Sequence, residues 1–303
     1  MIYTITLNPA LDYSLETSKF DLGKLNLSEK AYFLGGGKGI NVSKVLKNFN
    51  VESTAIGFLG GFTGNFIKEE LKEKNIKEDF VEVLGNTRVN IKIKTGEIET
   101  ELAGLSPEIN ENHVLALKEK LGNIQDGDIL VLSGSVPKSL KTTIYKELVE
   151  GLDKDIKVIL DTRGDAFVET LKVKPFLVKP NHHELEEFCG KELHSLEEIV
   201  EGARTIQKLG VQNVIVSMGK DGSILLTEDS VYKGNVPKGT LKNSVGAGDS
   251  MVAGLVSKLA QDESLLEAYK FGIASGSATA FSHNLATKDE VLALLNQINI
   301  IKV

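Results

Sequence analysis

Short β-branched or apolar runs alternate along this chain with longer segments of helical period, and that alternation constrains its fold more than any other feature. The runs fall at Ile2–Leu7, Thr54–Leu59, Ile129–Leu132, Val158–Leu160, Phe176–Val178 and Val214–Val216. They have the length of buried strands and are dominated by apolar and β-branched residues, as suits strands covered on both faces. Between them, stripes such as Val42, Val45, Leu46 and Phe49, or Val252, Leu255, Val256 and Leu259, recur at the spacing of one helix face. The pattern predicts a parallel sheet covered by helices.

Two stretches break the alternation. Tyr13–Phe33 and Thr87–Leu102 read as extra strands outside the main layers; in the second, RVNIKIK is followed by TGEIETEL, an alternating run with a glycine at its turn. A small sheet built from about 13–33 and 87–103 could fold over a site as a lid and exclude water, with an edge extension of the main sheet as the alternative. No fixed-period repeat or long Pro/Gly/Ser-rich tract divides the 303 residues. One continuous domain, 1–303, with an appendage is therefore expected. The charged run Lys68–Lys77 (KEELKEKNIK) reads as a solvated helix face.

A formal net charge of −7 speaks against a nucleic-acid binder, whose affinity depends on clustered Lys and Arg. It leaves an anionic small molecule open, since a local basic pocket is enough to steer one. The opening MIYTITLNPALD has neither a basic segment nor a long apolar one, and no later window holds about 18 uninterrupted apolar residues. A cytoplasmic protein without a membrane partner is expected. Cys189, the single cysteine, has no partner for an internal disulfide. His182 and His183 are adjacent, point different ways on a helix and lack a third ligand, so no zinc site is expected.

Two glycine-rich segments each open a helix. Gly35-Gly36-Gly37-Lys38-Gly39-Ile40-Asn41 leads into the helix carrying Val45 and Leu46. Glycines let backbone approach a ligand, and a helix start offers free N–H groups to an anion. Lys38 adds an ammonium, and Asn41 an amide that both donates to and accepts from sugar hydroxyls. A tight turn with an exposed lysine is the plainer reading, and neither standard nucleotide fingerprint fits the spacing. In the second segment, Gly246, Ala247 and Gly248 stand where successive N–H groups converge at a helix N-terminus, a preformed anion hole. Asp249 in that first turn either complements the helix dipole or accepts the proton of a hydroxyl attacking a phosphoryl group.

Lys179-Pro180-Asn181-His182-His183-Glu184 follows a buried-type strand, and ligands bind at such strand ends in open parallel sheets. Asn181 and Glu184 could share a helix face and supply oxygens to Mg²⁺, directly or through water, or could form a helix cap and its capping-box partner. Ser217-Met218-Gly219-Lys220-Asp221-Gly222 follows another apolar strand; its composition suits a nucleotide-binding loop or an ordinary hairpin turn.

Together, GGGKGINVS, KPNHHE, VSMGKDG and NSVGAGDSMVAG stand in an order and approximate spacing that resemble the PfkB, or ribokinase-like, carbohydrate kinases, over essentially the whole chain. The resemblance implies a ribokinase-like three-layer α/β/α core with a mainly parallel sheet and a small β-sheet lid. It implies Asp249 as catalytic base with Gly246, Ala247 and Gly248 as anion hole. By the same match Asp12, Gly36, Gly37, Lys38 and Asn41 hold the sugar, and Arg88 and Asn90 reach in from the lid, Arg88 with a guanidinium fork suited to phosphate. Ser217, Met218, Gly219, Lys220, Asp221 and Gly222 would line the ATP site with Gly248, Lys179 would approach the nucleotide phosphates, and Asn181 with Glu184 would organise Mg²⁺ through water. TLNPALD, TRVNIKI and SGSVP are most similar to the branch that accepts an already phosphorylated ketose. Fructose 1-phosphate, attacked through its 6-hydroxyl, is the expected acceptor; tagatose 6-phosphate and fructose 6-phosphate are alternatives, and a non-catalytic sugar-phosphate sensor is the reading from another class. Relatives dimerise through their lids, which implies a homodimer. Two positions depart from the family pattern: Asn243, where many members carry Asp, and Arg163, where a small residue is common.

Overall fold

The computed structural model describes residues 1–96 and 98–303; Glu97, inside the second stretch assigned to the small sheet, lies outside the described residues. The six apolar runs are six neighbouring strands. In sheet order they are Asn213–Ser217, Leu177–Val178, Lys157–Asp161, Ile129–Ser133, Ile2–Thr6 and Thr54–Leu59, each parallel to the next. All six C-terminal ends therefore lie on one edge. Ser223–Leu226, Val231–Gly234 and Ile300–Lys302 extend the sheet antiparallel on one side, and Lys77–Glu78 and Val81–Glu82 pair with Thr54–Leu59 on the other.

Alternate residues of each strand enter opposite cores. Ile129 and Val131 pack with helices Lys38–Asn48, Ala247–Leu259 and Leu265–Ala280, which contribute Val42, Val45 and Leu46, Val252, Leu255 and Val256, and Tyr269. Leu130 and Leu132 pack with helices Glu111–Leu121, Ile144–Glu150, Gly164–Leu171 and Leu196–Gln207, through Leu117, Tyr145, Phe167 and Ile199. Burial of each such side chain contributes about 1.5–3 kcal/mol. Helices of 7 to 16 residues are held by this packing more than by intrinsic propensity.

The small sheet is separate from the main one, not an extension of its edge, with the order Lys30–Gly36, Ala10–Glu16, Arg88–Thr95, Ile98–Leu102. Its pairing starts at Ala10↔Gly36, so the first two strands reach further than 13–33. The ladder runs on into the glycine segment, where the sequence offers no alternating side chains to mark a strand. Tyr13 stacks on Phe33 with ring centroids 4.3 Å apart, and Phe33 meets Phe66 of helix Gly61–Glu73 at 6.1 Å, which seats the sheet on the core. Among the described residues no helix is long and apolar enough to cross a membrane.

Candidate active site

The chain leaves the strand Ile2–Thr6, enters the small sheet, and returns through Gly36 and Gly37 into helix Lys38–Asn48. Gly37 has a φ of 133°, and a Cβ there would lie 2.6 Å from Thr6 Cγ2; at Gly39 it would lie 2.6 Å from Thr6 Oγ1. Side chains would block this approach, so the glycines bring the helix start against the strand end. Thr6 Oγ1 then accepts the Ile40 N–H at 3.0 Å. Lys38 and Asn41 are thereby fixed at the C-terminal edge of the sheet.

Helix Ala247–Leu259 packs beside helix Lys38–Asn48 and opens at the same edge. Gly246 precedes it in the left-handed region, φ 78°. The Ala247 N–H turns back to Ser244 O at 3.2 Å, while the N–H groups of Gly246, Gly248 and Asp249 face no acceptor among the described residues. Asp249 is 6% exposed, and its Oδ2 accepts from Asn41 Nδ2 at 2.8 Å. Burial and the negative field of Asp161 push Asp249 up to about 6, against the Asn41 amide and the charges of Lys38 and Lys179.

Asp161 is the site residue that sequence reading passed over. It ends the strand Lys157–Asp161, is 1% exposed, and offers Oδ1 to Lys38 Nζ at 3.0 Å and Lys179 Nζ at 3.5 Å. Burial raises its pKa, but Lys179 and Lys38 outweigh burial and hold it below the ordinary carboxylate value. Lys38 is pressed down by burial, yet Asp161, Glu184 and Asp249 hold it above its ordinary value. Lys179 Nζ lies 3.3 Å from where a Cβ would stand on Gly248, so this lysine and the helix start meet closely only across a glycine. Asp161 Oδ2 and Ser133 Oγ, on paired positions of neighbouring strands, are buried without a partner among the described residues. Orphaned buried polar atoms are rare and mark a place for water or ligand. The available sequence signal was an acid at the C-terminal end of a buried parallel strand.

Across from this cluster, a cleft of about 740 Å³ separates the small sheet from the helix starts and is lined by Asp12, Gly36, Asn41, Lys92, Asn243 and Gly246 among others. Asn90 Nδ2 donates to Asp12 Oδ1 at 2.9 Å, and Lys92 Nζ pairs with Asp12 Oδ2 at 2.9 Å. Arg88 sits at the base of the small sheet, donating to Asn8 O at 3.1 Å, Pro9 O at 3.3 Å and Asn90 Oδ1 at 3.5 Å. Its fork is engaged with backbone carbonyls.

The remaining residues lie further along the same edge. Asn181 Oδ1 accepts the Glu184 N–H at 2.8 Å and Glu184 Oε2 accepts the Asn181 N–H at 2.9 Å, a capping box on helix His182–Cys189. Asn181 also bridges to Ser217. Ser217–Gly222 is the turn of the hairpin joining Asn213–Ser217 to Ser223–Leu226, closed by Met218 N–H to Gly222 O at 2.8 Å, with Gly219, Lys220 and Asp221 exposed. Both segments take the plainer local form, cap and turn, at the edge where Lys38, Asp161, Lys179 and Asp249 gather. Arg163 is exposed and lines a smaller cavity of about 170 Å³ that also touches Glu184.

A buried carboxylate at a helix start with unengaged N–H groups, held by Asn41 beside a cleft lined by polar and charged side chains, suits an enzyme that transfers phosphoryl groups to sugars. The chain belongs to the pfkB family of carbohydrate kinases, whose family model matches residues 6–291. A 1-phosphofructokinase from Bacillus subtilis (strain 168) is 46% identical over 100% of both chains. A D-tagatose-1-phosphate kinase from Bacillus licheniformis is 36% identical over 99% of each. Among solved structures, a putative phosphofructokinase from Staphylococcus aureus superposes with a TM-score of 0.88 at 38% identity, covering 100% of this chain and 99% of that one.

Proposed function

We propose that this chain is a 1-phosphofructokinase, which transfers the γ-phosphoryl group of ATP to the 6-hydroxyl of fructose 1-phosphate and yields fructose 1,6-bisphosphate, ADP and a proton. The observation that carries the chemistry is Asp249, buried at the head of its helix with one oxygen held by Asn41. The name of the 46% identical relative supports the particular acceptor. A sensor without chemistry would have no use for a carboxylate there, since it repels the γ-phosphate.

In this reading Asp249 takes the proton of the attacking hydroxyl as the O–P bond forms and the bond to ADP breaks. A base with a pKa of about 6 suffices, because in a loose transition state the proton leaves late. The N–H groups of Gly246, Gly248 and Asp249 face the negative charge that spreads over the transferred group, and Lys38 and Lys179, tied together through Asp161, bring positive charge to its two sides. Asp12, held by Asn90 and Lys92, with Gly36, Gly37 and Asn41, receives the sugar hydroxyls. Arg88 stands nearby for the substrate's phosphate, and Ser217–Gly222 borders the nucleotide. The small sheet closes over the cleft as a lid.

Mg²⁺ fits the donors present. The capping box occupies Glu184 Oε2 and one lone pair of Asn181 Oδ1, which leaves Glu184 Oε1 and the second lone pair of Asn181 Oδ1 to organise the hydrated ion beside the nucleotide. When bound, it would neutralise phosphate charge. A homodimer through the lid is the proposed assembly, since Leu22, Leu25 and Leu27 between the first two small-sheet strands are 88%, 89% and 76% exposed, a cluster that favours cover by a second copy.

Rates of ADP formation with Mg-ATP and, in turn, fructose 1-phosphate, fructose 6-phosphate, tagatose 6-phosphate and tagatose 1-phosphate test the substrate. The expected result is the highest kcat/KM with fructose 1-phosphate. A preference for another ketose phosphate would replace the acceptor and keep the mechanism; no turnover of any would overturn both.

A further inference from the structure

Glu70 lies inside Lys68–Lys77, the run that reads as a solvated helix face, and Glu69, Lys72, Glu73 and Lys74 around it are exposed. The Glu70 side chain is only 16% exposed and pairs with Lys44 of helix Lys38–Asn48, itself 9% exposed. The pair closes on a single residue. Glu70 Oε2 accepts the Gly35 N–H at 2.7 Å, Lys44 Nζ donates to the Gly35 carbonyl at 2.7 Å, and Lys44 Nζ also donates to Glu70 Oε1. Both main-chain polar groups of one glycine are therefore taken by one ion pair. A Cβ at position 35 would stand 2.7 Å from Glu70 Oε2 and 3.1 Å from Ile67 Cγ1, so the pair can close only on a glycine.

Stability does not explain such an enclosed pair. Desolvation offsets most of the attraction between buried charges, and an apolar pair of the same volume often serves as well or better. Charged partners do what an apolar pair cannot, which is to fix an N–H and a C=O in place with strong, directed hydrogen bonds. The residue so fixed stands at the start of the sugar segment. Gly36 follows it and pairs with Ala10, and a Cβ on it would stand 3.0 Å from Asp12 Oδ2; Gly37 and Lys38 come next. A displacement at Gly35 passes along the chain into the wall of the cleft that Gly36 and Asp12 form.

We infer, resting on the sugar-phosphate kinase reading, that Lys44 and Glu70 are positioning residues for the acceptor: their ion pair clamps Gly35 and so sets the Gly36–Asp12 wall before the sugar phosphate arrives. Burial lowers the pKa of Lys44 and Glu70 opposes that effect, which agrees with an enclosed pair. Both residues border the cleft together with Asp12 and Gly36, whereas Lys179 and Ser217–Gly222 do not line it, so the effect falls on the sugar phosphate.

The test is initial-rate kinetics on the double variant K44M/E70Q, which removes both charges together and strands neither. The KM for the sugar phosphate is expected to rise about tenfold, that for ATP to stay within about twofold, and kcat to fall by less than KM rises. Hydrogen–deuterium exchange over residues 30–41 is expected to quicken. E70Q alone keeps an oxygen for the Gly35 N–H and loses the charge; it should give an intermediate rise, and it supplies the test if the double variant does not fold. An unchanged sugar-phosphate KM in a folded variant, or an equal rise for ATP, overturns the clamp. The comparison uses whichever ketose phosphate the wild type turns over, so a wrong acceptor and a wrong clamp give different results.

Discussion

Asn41 Nδ2 stands 2.8 Å from Asp249 Oδ2, joining two helix starts that are 208 residues apart in the chain. The helix that begins after Gly37 thus holds the carboxylate near the head of helix Ala247–Leu259. One oxygen is fixed, and in the proposed mechanism the other receives the proton of the incoming hydroxyl.

Replacing that carboxylate separates catalysis from folding. Asp249→Asn is expected to lower kcat by roughly 10²–10⁴-fold while nucleotide binding persists, because Asn keeps an oxygen for the Asn41 amide. In the wild type, activity should fall below a pH of about 6, where Asp249 takes up its proton. The stability effect has the opposite sense. Between the ordinary carboxylate value and about 6 the folded state holds a proton that the unfolded state has released, so Asp249 makes the fold less stable as pH rises through that window. Asp249→Asn should remove this penalty and melt no lower than wild type near neutral pH. Thermal melts and pH–rate profiles of the two proteins measure both effects, and a fully active Asn variant would remove Asp249 from its role.

The main sheet was legible because apolar runs such as Thr54–Leu59 and Ile129–Leu132 can hardly be anything but strands buried on both faces. Asp249 and Asn41 were legible because glycines mark the backbone that presents them. Asp161 was not, since its meaning comes from Lys38, 123 residues away, and an acid at the end of a strand is a weak signal until that partner is known. Glu70 was hidden in the opposite way, inside a charge run whose other members are solvated. Arg88 reads as a phosphate fork, and its contacts with the carbonyls of Asn8 and Pro9, about 80 residues earlier in the chain, are tertiary contacts that the motif TLNPALD does not announce. Periodicity reveals what packs; it does not reveal which charge finds which partner across the fold.

Asp161→Asn tests the bridge between the two lysines. Lys179 is 4% exposed, and removing one partner of a buried pair costs about 3–5 kcal/mol, so the variant should unfold at clearly lower denaturant. It should also shift the acid limb of activity to lower pH, because the field of Asp161 is one of the forces that raise Asp249. Since Asp161 itself is held below the ordinary carboxylate value, its stabilisation is present above that value and lost as pH falls beneath it. Denaturant titrations at two pH values and a pH–rate profile read these effects. A limb that stays in place would show that Asp161 does not act on Asp249.

Gly248 sets stability and activity against each other. It is the second residue of helix Ala247–Leu259, where alanine is favoured over glycine by up to about 1 kcal/mol. A methyl group there would lie 3.3 Å from Lys179 Nζ, a tight contact that the end of a long side chain relieves by moving. Gly248→Ala should therefore fold and melt at or above the wild-type temperature. In the proposed mechanism the same methyl group stands where the transferred phosphoryl approaches the N–H groups, and it displaces the lysine that would meet the nucleotide phosphates. Loss of one such donor costs about 10²–10³-fold in turnover, so kcat should fall by at least tenfold. A melt and a rate on one sample decide the matter: a stable, inactive protein places the glycine in the chemistry, and a stable, fully active one shows that the phosphoryl group passes elsewhere.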